Sequence, residues 1–159
     1  MNITRPHVVF DCNILFQAVV RAASPAARCI ECVEQNAVSL FISKPIIREF
    51  RKIMAYPDIV RRTPHVTDLK ITEFLDRLLY RATLVRDPPH VFHYPRDPKD
   101  EPYFDLAIAC NANFLTSRDK DFLSLTDGHS LEAKELRQRC PGLRILTPED
   151  FLKTILTSL

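Results

Sequence analysis

The stretch Pro95–Leu123, PRDPKDEPYFDLAIACNANFLTSRDKDFL, decides how the rest of the chain is read. It sets Asp97, Asp100, Glu101, Asp105, Asp119 and Asp121 around an apolar helix-then-strand segment, Tyr103 to Leu115, whose only charge is Asp105. Carboxylates on a wet surface cost little, but several crowded at the two ends of a buried element repel one another unless they share a cation. A divalent metal is the first expectation. It requires two distant acids, Asp11 after VVF and Glu49 after SKPIIR, to converge on the same point.

Upstream of that stretch, His7 to Phe10 is a short apolar run of the kind a buried parallel strand shows, ending at Asp11. An apolar helix through Ile14–Val20 follows. Ser24-Pro25 supplies an N-cap and a first helical position for a helix to about Gln35, and Val38 to Ile42 is the second strand. Ser43-Lys44-Pro45 starts a helix with Glu49 one turn in, on the face of Pro45 and Ile53. Tyr56 to Pro64 reads as a proline-punctuated connection, Asp68 to Tyr80 as an amphipathic helix, and Thr83 to Val85 as a short strand. His90 to Pro95, with two histidines and two aromatics, reads as a packed loop, with an entrance lining as the alternative.

Asp97-Pro98 imposes a turn, and Asp100 suits an N-cap with Glu101 and Pro102 in the first turn. Glu101 and Asp105 then share one helix face. Asn113 to Thr116 is a strand whose carboxyl end, Ser117-Arg118-Asp119-Lys120-Asp121, repeats the Asp11 pattern. A basic helix over Leu131–Arg139, a strand at Leu143–Leu146 and a last helix launched by Thr147-Pro148 complete the chain. Strands alternating with helices predict an α/β fold with a parallel sheet covered on both faces.

Composition narrows the classes. With 159 residues and 46% apolar content, one globular domain over residues 1–159 is expected. A net charge of +2 offers no global field toward nucleic acid or membrane, so any polyanion must meet a local patch. Arg48, Arg51 and Lys52 beside Glu49 are such a patch, read either as a solvated helix face or as a phosphate-facing strip. The N-terminus carries no signal pattern and no apolar run approaches a membrane span, which predicts a soluble, cytoplasmic protein. The five cysteines are odd in number and irregularly spaced, so free thiols are expected; Cys29-Ile-Glu-Cys32 falls mid-helix without a second ligand pair.

Taken singly, each acid has an ordinary reading: Asp11 suits a helix N-cap, and Glu49 a wet helix surface. Ligands in open α/β sheets sit beyond the carboxyl ends of the strands, and three such positions here offer acids to one edge. These are Asp11, the Asp100/Glu101 pair with Asp105, and Asp119 with Asp121, with Glu49 expected to approach from a neighbouring helix. Oxygen donors suit Mg²⁺ or Mn²⁺, and no His/Cys constellation suggests zinc. Metal held by carboxylates and open to water is a standard means of cutting a phosphodiester.

VVFDCNIL, then Glu49 in KPIIREF, then RDPKDEPYFDLAIACNANFLTSRDKDFL resembles the PIN-domain ribonucleases, most closely the bacterial group similar to VapC-type toxins. The resemblance covers nearly the whole chain in the right order. It implies a Rossmann-like three-layer α/β/α sandwich with a central, mostly parallel sheet. It also implies a Mg²⁺- or Mn²⁺-dependent endoribonuclease cutting single-stranded RNA, the toxin of a toxin–antitoxin pair, as a homodimer restrained by a small antitoxin.

Carried over by position, Asp11 matches the first acid, Asn13 the asparagine two places on, and Glu49 the second acid. The third falls at Asp100 or Glu101, with Asp105 close behind. Asp119 matches the fourth, Ser117 the hydroxyl before it, and Asp121 an auxiliary position. Arg96 and Arg118 join Arg48, Arg51 and Lys52 as expected RNA contacts. Two departures stand out: there are two plausible third acids, and Arg118 occupies a place where a small residue is common. Thr126 to Pro141 is also longer than in compact members. A catalytically inactive PIN-like module that binds RNA or docks protein is the alternative. A haloacid-dehalogenase-type phosphotransferase would want a second Asp where Asn13 stands, and a response-regulator receiver would want adjacent acids and a strand-end lysine.

Overall fold

Runs of β-branched and aromatic residues too short for helices become the strands of a parallel sheet in a computed structural model, which describes residues 4–158. The strands are β1 (His7–Phe10), β2 (Ser39–Ser43), β3 (Thr83–Val85), β4 (Phe114–Thr116) and β5 (Arg144–Leu146). Their order across the sheet is β3-β2-β1-β4-β5. All four pairings are parallel, with Val8 beside Leu40 on one side of β1 and Phe10 beside Thr116 on the other. Parallel neighbours need crossover connections, and helices supply them on both faces, giving an α/β/α sandwich.

The helices are α1 (Cys12–Val20), α2 (Pro25–Glu34), α3 (Lys44–Met54), α4 (Pro57–Arg62), α5 (Asp68–Arg81), α6 (Glu101–Ala109), α7 (Lys120–Asp127), α8 (Leu131–Arg139) and α9 (Pro148–Ser158). Ser24, Thr67, Ser130 and Thr147 cap α2, α5, α8 and α9 as their side chains suit, each accepting a backbone N–H of the first turn. Two short helices depart from the sequence expectation. Helix α4 lies inside the stretch read as a connection, started by Pro57 with Asp58 in the first turn. Helix α7 begins directly after Asp119, where the run of charges hid the apolar Phe122 and Leu125.

Two asparagines stand where glycine is usually found. Helices α2 and α6 both end with a left-handed residue, Asn36 at φ 59° and Asn111 at φ 50°. After each, the next N–H reaches back to the last turn, Ala37 to Cys32 at 2.9 Å and Ala112 to Ala107 at 2.9 Å. This is the Schellman geometry, which stops a helix sharply and redirects the chain. In both cases it delivers the chain into a strand flanking β1.

Beneath the sheet's flanks, Val8, Val9, Leu40, Phe104, Leu115, Phe122 and Phe151 are almost wholly buried. Phe104 meets both Phe92 and Phe122 at centroid distances of 5.1 Å, joining the 90–95 segment, α6 and α7. Each such side chain contributes about 1.5–3 kcal/mol of burial. All five cysteines are buried free thiols. Burial pushes the Cys29 thiol up to about 12, which keeps it in the protonated, weakly nucleophilic form. Among the described residues no helix is long and apolar enough to cross a membrane.

Candidate active site

The chain runs outward from β1 to β2 and β3, then returns to the other side of β1 for β4 and β5, so the direction of winding reverses between β1 and β4. Adjacent parallel strands pointing the same way open a crevice at that reversal, beyond their carboxyl ends. Asp11 follows β1 there and Ser117 follows β4, tied together by a 2.9 Å bond from the Asp11 N–H to the Thr116 carbonyl.

Asp11 and Asp119 are both helix N-caps, of α1 and α7, and this shared job is what aims them together. Asp11 accepts a 3.4 Å contact from the Asn13 N–H, and Asp119 Oδ1 accepts the Asp121 N–H at 2.8 Å. Ser117, fully buried, bridges the two: its hydroxyl donates to Asp11 Oδ2 at 2.7 Å and accepts the Asp119 N–H at 3.0 Å. Asn13 itself is exposed, and its backbone rather than its side chain touches Asp11.

Glu49 enters from α3. The buried phenol of Tyr103, on α6, donates to Glu49 Oε2 at 2.6 Å and accepts the Cys12 N–H at 3.2 Å. Tyr103 is the residue sequence reading missed. Its signal was present, since a tyrosine on an otherwise apolar helix needs a partner for its hydroxyl.

Asp100 occupies the N-cap position of α6 yet makes no capping bond, and its Oδ2 is buried without a hydrogen-bond partner among the described residues. Ser43 Oγ and Thr116 Oγ1, at the carboxyl ends of β2 and β4, are unpartnered in the same way. Burial, then the charges of Asp97, Asp119, Asp11 and Glu49, push the Asp100 carboxyl up to about 7. Burial also raises Asp11 to about 6, against the bonds from Ser117 and Asn13 and with added repulsion from Glu49 and Asp119. Asp11, Glu49, Asp100 and Asp119 thus share one electrostatic environment.

Glu101 and Asp105 face away from it. Glu101 Oε2 accepts the Tyr94 N–H at 2.7 Å, and Asp105 accepts the N–H groups of Val91 and Phe92 at 3.0 and 2.9 Å. Both carboxylates anchor the 90–94 segment, which is the packed loop expected. Of the two plausible third acids, Asp100 is the one set among the other three.

The basic residues divide too. Arg48, Arg51 and Lys52 are exposed along α3. Arg96 pairs with Asp121 at 3.1 Å. Arg118, expected among the phosphate contacts, instead forks onto Glu149 at 3.0 and 2.6 Å while its Nε donates to Gln17 at 3.1 Å. A bidentate guanidinium fixes the geometry of its partner closely, so Arg118 ties the β4 end to α9 and α1.

The acids fit a divalent cation: an unpartnered buried carboxylate oxygen and two carboxyls with raised pKa values are what a cation would relieve. Their carboxylates are not drawn into a tight cage. Among the described residues the only trio of His, Cys, Asp or Glu donors within 4.8 Å of one another is His90, His93 and Glu101. A looser set suits Mg²⁺, which keeps several waters and takes one or two carboxylates directly.

A winding reversal in a parallel α/β sandwich, with four acids gathered beyond it, defines a doubly wound α/β domain with an acidic crevice suited to a divalent cation. The PIN domain family model matches residues 7–121, from the start of β1 to the Asp121 that follows Asp119. The chain belongs to the PIN domain family, whose members are generally nucleases that typically bind divalent metals. No curated protein matches the chain at a significant level.

Proposed function

We propose that this chain is one PIN-like nuclease domain over residues 1–159, an endoribonuclease that uses Mg²⁺ or Mn²⁺ to cut single-stranded RNA by phosphodiester hydrolysis. The observation that carries the reading is the shared environment of Asp11, Glu49, Asp100 and Asp119, with Asp100 Oδ2 left unpartnered inside it.

Asp11, Asp100 and Asp119 would hold the ion. When bound, it supplies an activated water and offsets the charge that builds on the phosphate. Ser117 keeps Asp11 and Asp119 in register, and Tyr103 sets Glu49 so that the carboxylate oxygen it does not engage, Oε1, takes the proton of the attacking water. Arg48, Arg51 and Lys52 grip the phosphates flanking the cut, joined by Arg96, whose single bond to Asp121 leaves its side chain 67% exposed; such contacts carry no base preference. The family resemblance, not the charge, supports RNA as the substrate.

The same resemblance supports a toxin partnered by a small antitoxin. Exposed Leu69 and Tyr80 on α5 support a homodimer.

The test is a labelled single-stranded RNA incubated with Mn²⁺, with EDTA, and with the Asp11→Asn protein in Mn²⁺. Cleavage in the first alone is expected. Cleavage that persists with Asp11→Asn defeats the mechanism, and RNA bound but never cut by the intact protein would favour the inactive binding module.

A further inference from the structure

Two histidines that the nuclease reading does not use meet the buried acids of α6. His90 Nδ1 lies 2.7 Å from Asp105 Oδ2, a contact that in the neutral imidazole puts the proton on Nδ1 and makes Nε2 the nitrogen able to ligate. That nitrogen is 3.5 Å from Glu101 Oε1, and His93 Nδ1 is 3.7 Å from Glu101 Oε2. Both separations are too long for good hydrogen bonds. They run to the two different oxygens of Glu101, and one donor atom from each of the three residues lies within 4.8 Å of the others, a spread that an ion with bonds of about 2.0–2.1 Å can draw in to the roughly 3.3 Å between neighbouring tetrahedral donors.

The donors are also held in place. Glu101 and Asp105 are 9% and 4% exposed, Glu101 is fixed by the Tyr94 N–H, and the two imidazoles meet edge to face at 5.5 Å. The outer sides of His90 and His93 are open to solvent, so an ion has a route in and a water can complete the shell. A carboxylate behind a ligating imidazole is the usual support of such sites.

We propose that His90, His93 and Glu101 form a site for a Zn²⁺-class ion, with Asp105 orienting His90, separate from the carboxylate centre. Two imidazoles and one carboxylate select a borderline transition metal over Mg²⁺. The ion clasps the 90–94 segment to the first turn of α6, one residue beyond Asp100. His90 and His93 thereby act as ligands, where sequence alone offered a packed loop or an entrance lining and no zinc constellation.

The full chain, stripped with EDTA, is titrated with Zn²⁺ in excess Mg²⁺ and metal content is measured after dialysis; Co²⁺ serves as a spectroscopic probe of tetrahedral ligation. One Zn²⁺ per chain and tetrahedral Co²⁺ bands are expected. His93→Gln, at a side chain 83% exposed and so without consequence for folding, should weaken Zn²⁺ at least tenfold. Asp105→Asn should weaken it by about 10–100-fold if the protein folds. Unchanged Zn²⁺ affinity in the His90→Gln/His93→Gln protein, or its loss in Asp11→Asn with both histidines intact, overturns the proposal. Mn²⁺-dependent RNA cleavage by His93→Gln is read separately, so failure of the zinc site and failure of the nuclease reading are distinguishable.

Discussion

The Tyr103 hydroxyl stands 2.6 Å from Glu49 Oε2 and joins α6 to α3 across the floor of the acid cluster. Because the phenol oxygen of Tyr103 also accepts the Cys12 N–H, one buried side chain couples three of the elements that surround Asp11.

Tyr103→Phe should therefore hurt twice. A buried N–H and a carboxylate oxygen each lose a partner, which costs about 1–3 kcal/mol. RNA cleavage in Mn²⁺ should fall at least tenfold as Glu49 loses its fixed orientation, while RNA binding stays within a factor of two. A melting curve and a single-turnover time course check both. Unchanged cleavage would show that Glu49 does not need Tyr103.

Metal-free protein should lose stability as pH rises. A carboxyl raised by the fold favours the folded state while protonated; its contribution is whole below the ordinary 3.8 and is lost through about 6 for Asp11 and about 7 for Asp100. Asp100→Asn should flatten that decline and gain about 1 kcal/mol or more at pH near 8, or about 2–4 °C in Tm for each kcal/mol. Thermal melts in EDTA across this window test it, and a flat profile in the intact protein would mean that the acids are not crowded.

Adding Mn²⁺ should reverse the same penalty. With the ion at a hundredfold excess over its dissociation constant, the melting transition should shift by about 2.7 kcal/mol of stabilisation. Asp119→Asn should abolish most of the rise. An intact protein that melts alike with and without Mn²⁺ has no such site.

Arg51→Gln and Lys52→Gln should each weaken RNA binding uniformly across sequences and reduce the salt slope by about 0.7 for each phosphate left without its cation. Arg118→Gln should leave that slope unchanged, because its guanidinium is committed to Glu149 and Gln17. Its cost should appear in stability, at under about 1 kcal/mol for so exposed a pair. A salt titration of binding separates the two behaviours.

The strands, most helices and the acids themselves were legible in the sequence, because alternation of short apolar runs with capped amphipathic segments is a local property. Asp11 after VVF and Asp119 after a second such run announced matching strand ends without any knowledge of distance. Which acids share a site was not local. Glu101 and Asp100 are neighbours in the chain, but the turn of residues 98–100 sends one toward His90 and the other toward Asp11, and only the packing of α6 on β1, β2 and α3 decides that. The same holds for Tyr103, whose partner is 54 residues away, and for Arg118, drawn off the expected phosphate strip by a glutamate 31 residues on. Sequence patterns set which groups exist and on which element; the close approach of elements decides which charges repel, pair or stand free to act.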